Sequence, residues 1–205
     1  MEQRYKTLLL FGAPGAGKGT QGAILGRIPG FYHQSCGDVF RSLDIHSELG
    51  KKFVEYSSRG ELVPDDLTVE MWAKTIQATT TLSLYKPHMD LLVLDGIPRT
   101  LEQAKLMEQH IEVLHVVHLM CKDEKAMFQR LRRRALRENR QDDAEEKVIR
   151  KRWNVYEKET FPILEYYPDE KVSNVDSIGS PAQVLHDILD IVVPIQEQHF
   201  ADFTG

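Results

Sequence analysis

Residues 7–21 read TLLLFGAPGAGKGTQ, and the fold of the chain is set by this stretch. An apolar run leads into a glycine-rich turn and then into a more polar segment, the order expected of a buried strand, a loop and a helix. Gly12, Gly15 and Gly17 can adopt positive φ, so backbone N–H groups can approach an anion closely. Lys18 adds a positive charge at the start of the helix, where the helix dipole also favours anions. The stretch therefore predicts a loop that binds phosphate groups.

The composition narrows the class of protein. The chain has 205 residues, 41% of them hydrophobic, and a formal net charge of -5. This length suits one domain with a sizeable core, and the charge argues against general nucleic-acid binding. The apolar run near the N-terminus is too short for a signal peptide or a membrane span. Cys36 and Cys121 are the only cysteines and lack partners at metal-ligand spacing, so we expect no structural zinc and a reducing cytoplasm.

Apolar and amphipathic segments alternate along the rest of the chain. After the first strand, strands are expected at 31–35, 91–95, 113–120 and 171–175. Helices are expected at 19–27, 37–41, 48–58, 67–79 and 145–165, after Asp123, and from Ser180 onwards. Alternation of this kind predicts an α/β fold with a doubly wound, five-stranded parallel sheet flanked by helices.

A second informative segment, LLVLDGIPR, occupies residues 91–99. Asp95 follows a buried strand, so its carboxylate is expected at the edge of the sheet where ligands bind. There it can hold Mg²⁺ through water, while Arg99 faces a phosphate group. The amide of Gln103, four residues on, can both donate to and accept from the edge of a base.

Six arginines fall within residues 130–140. Taken alone, such a run indicates a solvated helix face or, less often, an RNA-binding patch. Asp142 and Asp143 follow it, and Arg152 lies on the next predicted helix.

The order Gly-Lys-Gly-Thr-Gln after the loop, the Asp-Gly-Ile-Pro-Arg segment and the arginine run together resemble the adenylate kinase family. The resemblance extends over nearly the whole chain. It implies a P-loop domain whose core comprises residues 1–34, 65–132 and 144–205. It also implies a small helical monophosphate-binding insertion at 35–64 and a short lid at 133–143, both expected to close over the core.

The resemblance also implies roles for individual residues. Residues implied to bind ATP are Gly15, Ala16, Gly17, Lys18, Gly19, Thr20, Arg134 and Gly179. Residues implied to bind AMP are Cys36, Arg41, Glu61, Leu62, Val63, Gly96, Ile97, Pro98, Arg99, Gln103, Arg140 and Arg152. Those implied to be catalytic are Lys18, Arg99, Arg134, Arg140 and Arg152, held in place by Asp142 and Asp143.

Four features depart from the family pattern. Ile97 stands at an aromatic position, Cys36 replaces the usual threonine, and Asn139 replaces a glycine. The spacing from Asp143 to Arg152 is one residue longer than expected. Arg150 is therefore an alternative candidate for the AMP-binding and catalytic role that the resemblance implies for Arg152.

The expected reaction is MgATP + AMP ⇌ 2 ADP, by direct in-line transfer with Mg²⁺ as cofactor. The expected partners are ATP, AMP and ADP, without nucleic acid or membrane, and the default state is a monomer. A UMP/CMP kinase or another nucleoside monophosphate kinase remains the alternative within this class. A nucleotide-gated binding or regulatory ATPase is the alternative from another class, because it would use the same loop and Asp95.

Overall fold

Five strands form the centre of the structure. The structure is a computed structural model that describes residues 4–44, 46–121, 123–138 and 145–200. At Glu124 and at residues 136–138 it describes the backbone alone. The strands are β1 (Tyr5–Gly12), β2 (Phe31–Ser35), β3 (Leu91–Asp95), β4 (Ile111–Met120) and β5 (Val172–Asp176). The α-helices are α1 (Lys18–Leu25), α2 (Cys36–Arg41), α3 (Glu48–Ser58), α4 (Asp65–Thr81), α5 (Leu101–Met107), α6 (Glu124–Glu138), α7 (Glu146–Val155) and α8 (Pro181–His199). The predicted bounds of β2, β3 and α3 are confirmed to the residue.

The sheet is parallel throughout, with strand order β2-β3-β1-β4-β5. This confirms the predicted doubly wound α/β fold. Leu10 of β1 pairs with Asp95 of β3, so the glycine-rich loop and the carboxylate leave the sheet at the same edge. Ligands of open parallel sheets bind outside the carboxyl ends of the strands, near the point where the strand order reverses.

Helices cover both faces of the sheet, because successive side chains of each strand point to opposite faces. On one face Leu9 belongs to a buried cluster that includes Trp72 of α4. On the other face Leu8 belongs to a cluster with Leu25 of α1 and Ile188 of α8. Among the described helices, none combines the length and the apolarity that crossing a bilayer requires.

The prediction of one helix over 145–165 is wrong in its second half. α7 ends at Val155 and is followed by a π-helical turn, Tyr156–Thr160, and then by a 3-10 segment, Phe161–Tyr166. The Tyr156 hydroxyl lies 2.9 Å from Nε2 of His118, and the Thr160 hydroxyl donates a 2.8 Å hydrogen bond to the carbonyl of Arg99. These contacts join the turn to β4 and to the segment after β3, and tertiary contacts of this kind override local helix propensity.

The division into core, insertion and lid stays a prediction. The predicted insertion at 35–64 contains α2 and α3. Within the predicted lid, residues 133–138 continue α6, while 139–143 lie outside the described residues.

Candidate active site

The glycine-rich loop connects β1 to α1 and ends in the residue that caps this helix. Gly12, Gly15 and Gly17 have φ values of 147°, 88° and 98°, the positive values that the sequence predicts. Gly17 is the N-cap of α1, and no side chain caps the helix there. The first N–H groups of a helix lack intrahelical partners, and together with the helix dipole they favour an anion at this point.

The ammonium group of Lys18 folds back over the loop. Its Nζ donates to the carbonyl oxygens of Gly12 at 2.7 Å and Ala13 at 3.1 Å. Burial lowers the pKa of Lys18 to about 8, while Asp95 opposes the shift and three nearby arginines reinforce it. A bound phosphate would favour the charged ammonium and raise this pKa again.

Binding of MgATP at about pH 8.5 is therefore expected to take up protons, because Lys18 is mostly neutral in the free protein and charged beside a phosphate. Titration calorimetry in two buffers with different heats of ionisation measures the number of protons taken up. The variant Lys18→Met serves as the control, since it corrects for protons carried by the nucleotide and by other side chains. Equal uptake by the natural protein and the variant would contradict the prediction.

The last residue of β3 and the turn that follows place a carboxylate and a guanidinium group beside the loop. Asp95 is only 7% exposed, and its Oδ2 would lie 3.5 Å from a Cβ atom added at Gly19. Gly96 has a φ of 81°, and its carbonyl accepts a 2.8 Å hydrogen bond from Nε of Arg99. A Cβ atom added at Gly96 would lie 3.0 Å from Nη2 of Arg99. Glycine therefore suits this position both by its backbone conformation and by the room it leaves for the guanidinium group.

One cleft, named the loop cleft here, is lined by the glycine-rich loop, the start of α1, α6 and the segment after β5. It brings together all residues predicted to bind ATP: Gly15, Ala16, Gly17, Lys18, Gly19, Thr20, Arg134 and Gly179. Asp95 lines it as well. The sequence did not indicate Arg130 and Ser177, which also line this cleft and join α6 to the segment after β5 through a 2.9 Å hydrogen bond from Arg130 Nη1 to the Ser177 carbonyl.

A second cleft, the insertion cleft, lies between the predicted insertion and the turn after β3. Most residues predicted to bind AMP line it: Cys36, Arg41, Glu61, Leu62, Val63, Gly96, Pro98, Arg99, Gln103 and Arg152. Ile97 lines neither cleft, is 2% exposed and belongs to the hydrophobic core, and its implied part in AMP binding stays a prediction. Arg140, Asp142 and Asp143 lie outside the described residues.

The two clefts meet at a group of positively charged side chains. Lys18, Arg41, Arg99 and Arg152 line both clefts. They come from α1, α2, the segment after β3 and α7, so four separate parts of the chain each contribute one cation where the clefts meet. An anion in either cleft would lie beside the same four cations.

The structure distinguishes Arg152 from its competitor on α7. Arg150 lines neither cleft; its Nη2 donates a 2.8 Å hydrogen bond to Glu146, and its guanidinium carbon lies 5.0 Å from the centre of the Phe128 ring. Residues two apart on a helix do not share a face. The geometry therefore favours Arg152 as the arginine that contacts a ligand.

Several side chains of the insertion cleft were missed by the sequence analysis. Phe40 and Phe53 stack with ring centres 5.2 Å apart and both line the cleft, as do Tyr156 and Thr160. Tyr156 lies four residues after Arg152, a spacing that places two helical residues on one face and that could have revealed it. No local pattern pairs the two phenylalanines, since they belong to different helices.

Cys36 is buried in the wall of the insertion cleft, with 4% of its surface exposed. Burial raises the pKa of its thiol to about 11, so the side chain is neutral at physiological pH. It therefore contributes a small, weakly polar surface at the position where the family pattern has threonine.

The carboxylate near the loop suits Mg²⁺ that is bound together with a nucleotide. Among the residues that the structure describes, no group of three His, Cys, Asp or Glu side chains could hold a metal ion. Mg²⁺ needs no such group, because it commonly keeps several waters and binds through one carboxylate and substrate phosphates. Asp95 offers that carboxylate in the loop cleft, close to the start of α1.

Comparison with known proteins identifies the family. The sequence model of a protein family, described as adenylate kinase, matches residues 10–172 of this chain. An adenylate kinase of Flavobacterium psychrophilum is 33% identical over 192 residues, which cover 90% of this chain and 97% of the relative. Those of Kocuria rhizophila and Rhodococcus erythropolis are 36% identical over 191 residues (89% of this chain, 96% of the relative) and 38% identical over 182 residues (86% and 93%). On the strength of these matches and of the fold, the chain belongs to the adenylate kinase family.

Proposed function

We propose that the chain transfers the γ-phosphoryl group of MgATP to AMP, reversibly, to give two ADP. The observation that carries the proposal is the convergence of Lys18, Arg41, Arg99 and Arg152 on the place where the two clefts meet. ATP would bind in the loop cleft and AMP in the insertion cleft, with their phosphates facing these cations. The family match supports the same reaction.

The chemistry requires positioning and charge neutralisation more than it requires proton transfer. The attacking oxygen of a nucleoside monophosphate is already anionic, so no catalytic base is needed. Lys18 and the arginines would hold the two phosphate chains in line and stabilise the charge that spreads over the transferred group. Arg134, which lines the loop cleft, would add to this stabilisation from the side of ATP.

Mg²⁺ bound with the nucleotide would supply further neutralisation of the phosphate oxygens. We propose that Asp95 holds it through water. The carboxylate is 7% exposed and lies beside α1, where the phosphates of a nucleotide in the loop cleft would be.

The oligomeric state and the cellular location are also part of the proposal. We propose that the chain acts as a monomer in the cytoplasm. Both clefts are formed by residues of one chain, and neither Cys36 nor Cys121 forms a disulfide.

A coupled assay with MgATP and one acceptor at a time tests the proposal, with AMP, UMP, CMP and GMP compared with no acceptor. We expect rapid formation of ADP with AMP and little product with the other acceptors. Transfer to UMP or CMP instead would overturn the choice of acceptor while keeping the mechanism. Tight binding of ATP without transfer to any monophosphate would favour a nucleotide-gated binding protein.

A further inference from the structure

The side chain of Gln103 is held at both ends of its amide. Its Oε1 accepts a 2.7 Å hydrogen bond from the backbone N–H of Arg99. Its Nε2 donates a 2.8 Å hydrogen bond to Oδ1 of Asp65, the first residue of α4. Gln103 is 1% exposed and lines the insertion cleft, whereas Asp65 does not line the cleft.

These two partners determine which end of the amide is oxygen and which is nitrogen. A backbone N–H can only donate a hydrogen bond, and a carboxylate can only accept one. If the amide were rotated by half a turn, its NH₂ group would face the N–H of Arg99 and its oxygen would face the carboxylate of Asp65. Both contacts would then be repulsive, and two buried hydrogen bonds would be lost.

The amide keeps some hydrogen-bonding capacity beyond these two contacts. A glutamine amide has two N–H donors and two oxygen lone pairs, of which one each is used by Asp65 and Arg99. The remaining donor and acceptor suit adenine, which presents a ring-nitrogen acceptor beside its amino donor. A 6-oxopurine presents an oxygen acceptor in place of that amino group. This oxygen would face the amide oxygen of Gln103, also an acceptor, unless the amide rotated.

We propose that Asp65 is a positioning residue for purine specificity, which acts by preventing rotation of the Gln103 amide and so excludes 6-oxopurine monophosphates from the acceptor site. This inference rests on the proposed function, because it assumes that AMP binds in the insertion cleft. Asp65 lies 38 positions before Gln103 in the chain and contacts it where α4 packs against α5. The excluded acceptors are defined by one chemical change, an oxygen in place of the amino group at purine position 6.

The same helix offers a matched control. Asp66 follows Asp65 in the first turn of α4, and its Oδ1 accepts a 2.8 Å hydrogen bond from the N–H of Leu67. Removing its charge affects the N-terminus of α4 much as removal at Asp65 does, but leaves the contact with Gln103 in place. Asp66→Asn therefore measures what the loss of an acidic residue in the first turn does by itself.

The test compares kcat/KM for AMP and for IMP, which differs from AMP at position 6 and its adjoining ring nitrogen but lacks the extra amino group of GMP. In Asp65→Asn the new amide can accept from the natural orientation of Gln103 or donate to a rotated one, so only the Arg99 N–H still opposes rotation. We therefore expect the AMP-to-IMP preference to fall about ten- to a hundred-fold, with kcat for AMP retained within about three-fold. Asp66→Asn should keep the preference of the natural protein, and Asp65→Glu should restore most of it. Should Asp65→Asn fail to fold, Asp65→Ser removes the same carboxylate and carries the same expectation.

The outcomes separate this inference from the proposed function. An unchanged preference in a folded Asp65→Asn or Asp65→Ser variant would overturn the role of Asp65 while leaving AMP as the acceptor. An equal loss of preference in Asp66→Asn would also overturn it, since the effect would then belong to the helix end. A natural protein that transfers to no purine monophosphate would overturn the proposed function and this inference with it.

Discussion

Replacing Lys18 by methionine is expected to slow phosphoryl transfer about a hundred-fold, which corresponds to about 3 kcal/mol of lost transition-state stabilisation. Lys18 lies where both clefts meet and is the one lysine among the four cations there. Methionine keeps the length and much of the volume of the side chain but cannot neutralise a phosphate. The measurement is kcat and kcat/KM with MgATP and AMP at saturating magnesium.

The stability of this variant makes the result interpretable. Burial disfavours the charged form of Lys18, as its lowered pKa indicates, so removing the charge also removes an unfavourable term from the folded state. The variant also loses the two hydrogen bonds that Nζ donates to the loop, so the two effects offset and we expect the midpoint of thermal unfolding to change little. Lys74→Met, which removes an exposed lysine paired with Glu70 on α4, should leave both activity and stability nearly unchanged. Near-normal turnover of Lys18→Met would refute the proposed role.

Replacing Arg152 by alanine is expected to lower kcat about a hundred-fold, since a donor aimed at the transferring group is typically worth this much. Arg152 lines both clefts and lies close enough to lower the pKa of Lys18. The effect should appear in kcat more than in the KM for either nucleotide, because the charge on the phosphoryl group is redistributed most in the transition state. Steady-state kinetics with each substrate varied in turn separates the two parameters.

Arg150→Ala is the matched control for this prediction. It removes the same side chain from the same helix, but Arg150 lines neither cleft and makes an exposed ion pair with Glu146 and a contact with the Phe128 ring. Surface pairs of this kind contribute little, so kcat should stay within about three-fold of the natural value. The reverse pattern, with Arg150→Ala inactive and Arg152→Ala normal, would exchange their roles.

The fold was predictable wherever a local pattern determines structure. β3 is a run of four apolar residues that ends in Asp95, and it is buried over its full length. α8 begins at Pro181, next to the predicted start at Ser180, whose hydroxyl caps the helix by accepting a hydrogen bond from the Gln183 N–H. The end of α7 was not predictable in this way. Its π-helical turn depends on contacts with His118 and Arg99, which lie 38 and 61 positions from their partners.

In the candidate site, too, features set by a local pattern were predictable and features set by tertiary contacts were not. The glycine-rich loop and Asp95 carry their chemistry in a short stretch of sequence, and the structure places both at one edge of the sheet. Gln103 could be recognised as a polar residue suited to a base edge, but the orientation of its amide could not, because Asp65 reaches it only in the folded protein. Ile97 occupies a family motif and yet belongs to the core, since the buried side of that turn needs an apolar side chain.

The four cations shared by the clefts also bear on how substrates arrive. The chain as a whole is acidic, with a formal charge of -5, so a polyanionic nucleotide is repelled by much of the molecule at long range. Lys18, Arg41, Arg99 and Arg152 form a local region of the opposite sign at the place where the clefts meet. Such an arrangement guides diffusing anions toward the clefts, and dissolved salt weakens the guidance because the Debye length is only about 8 Å at physiological ionic strength. Capture of nucleotides by this protein should therefore depend on ionic strength far more than the chemical step that follows.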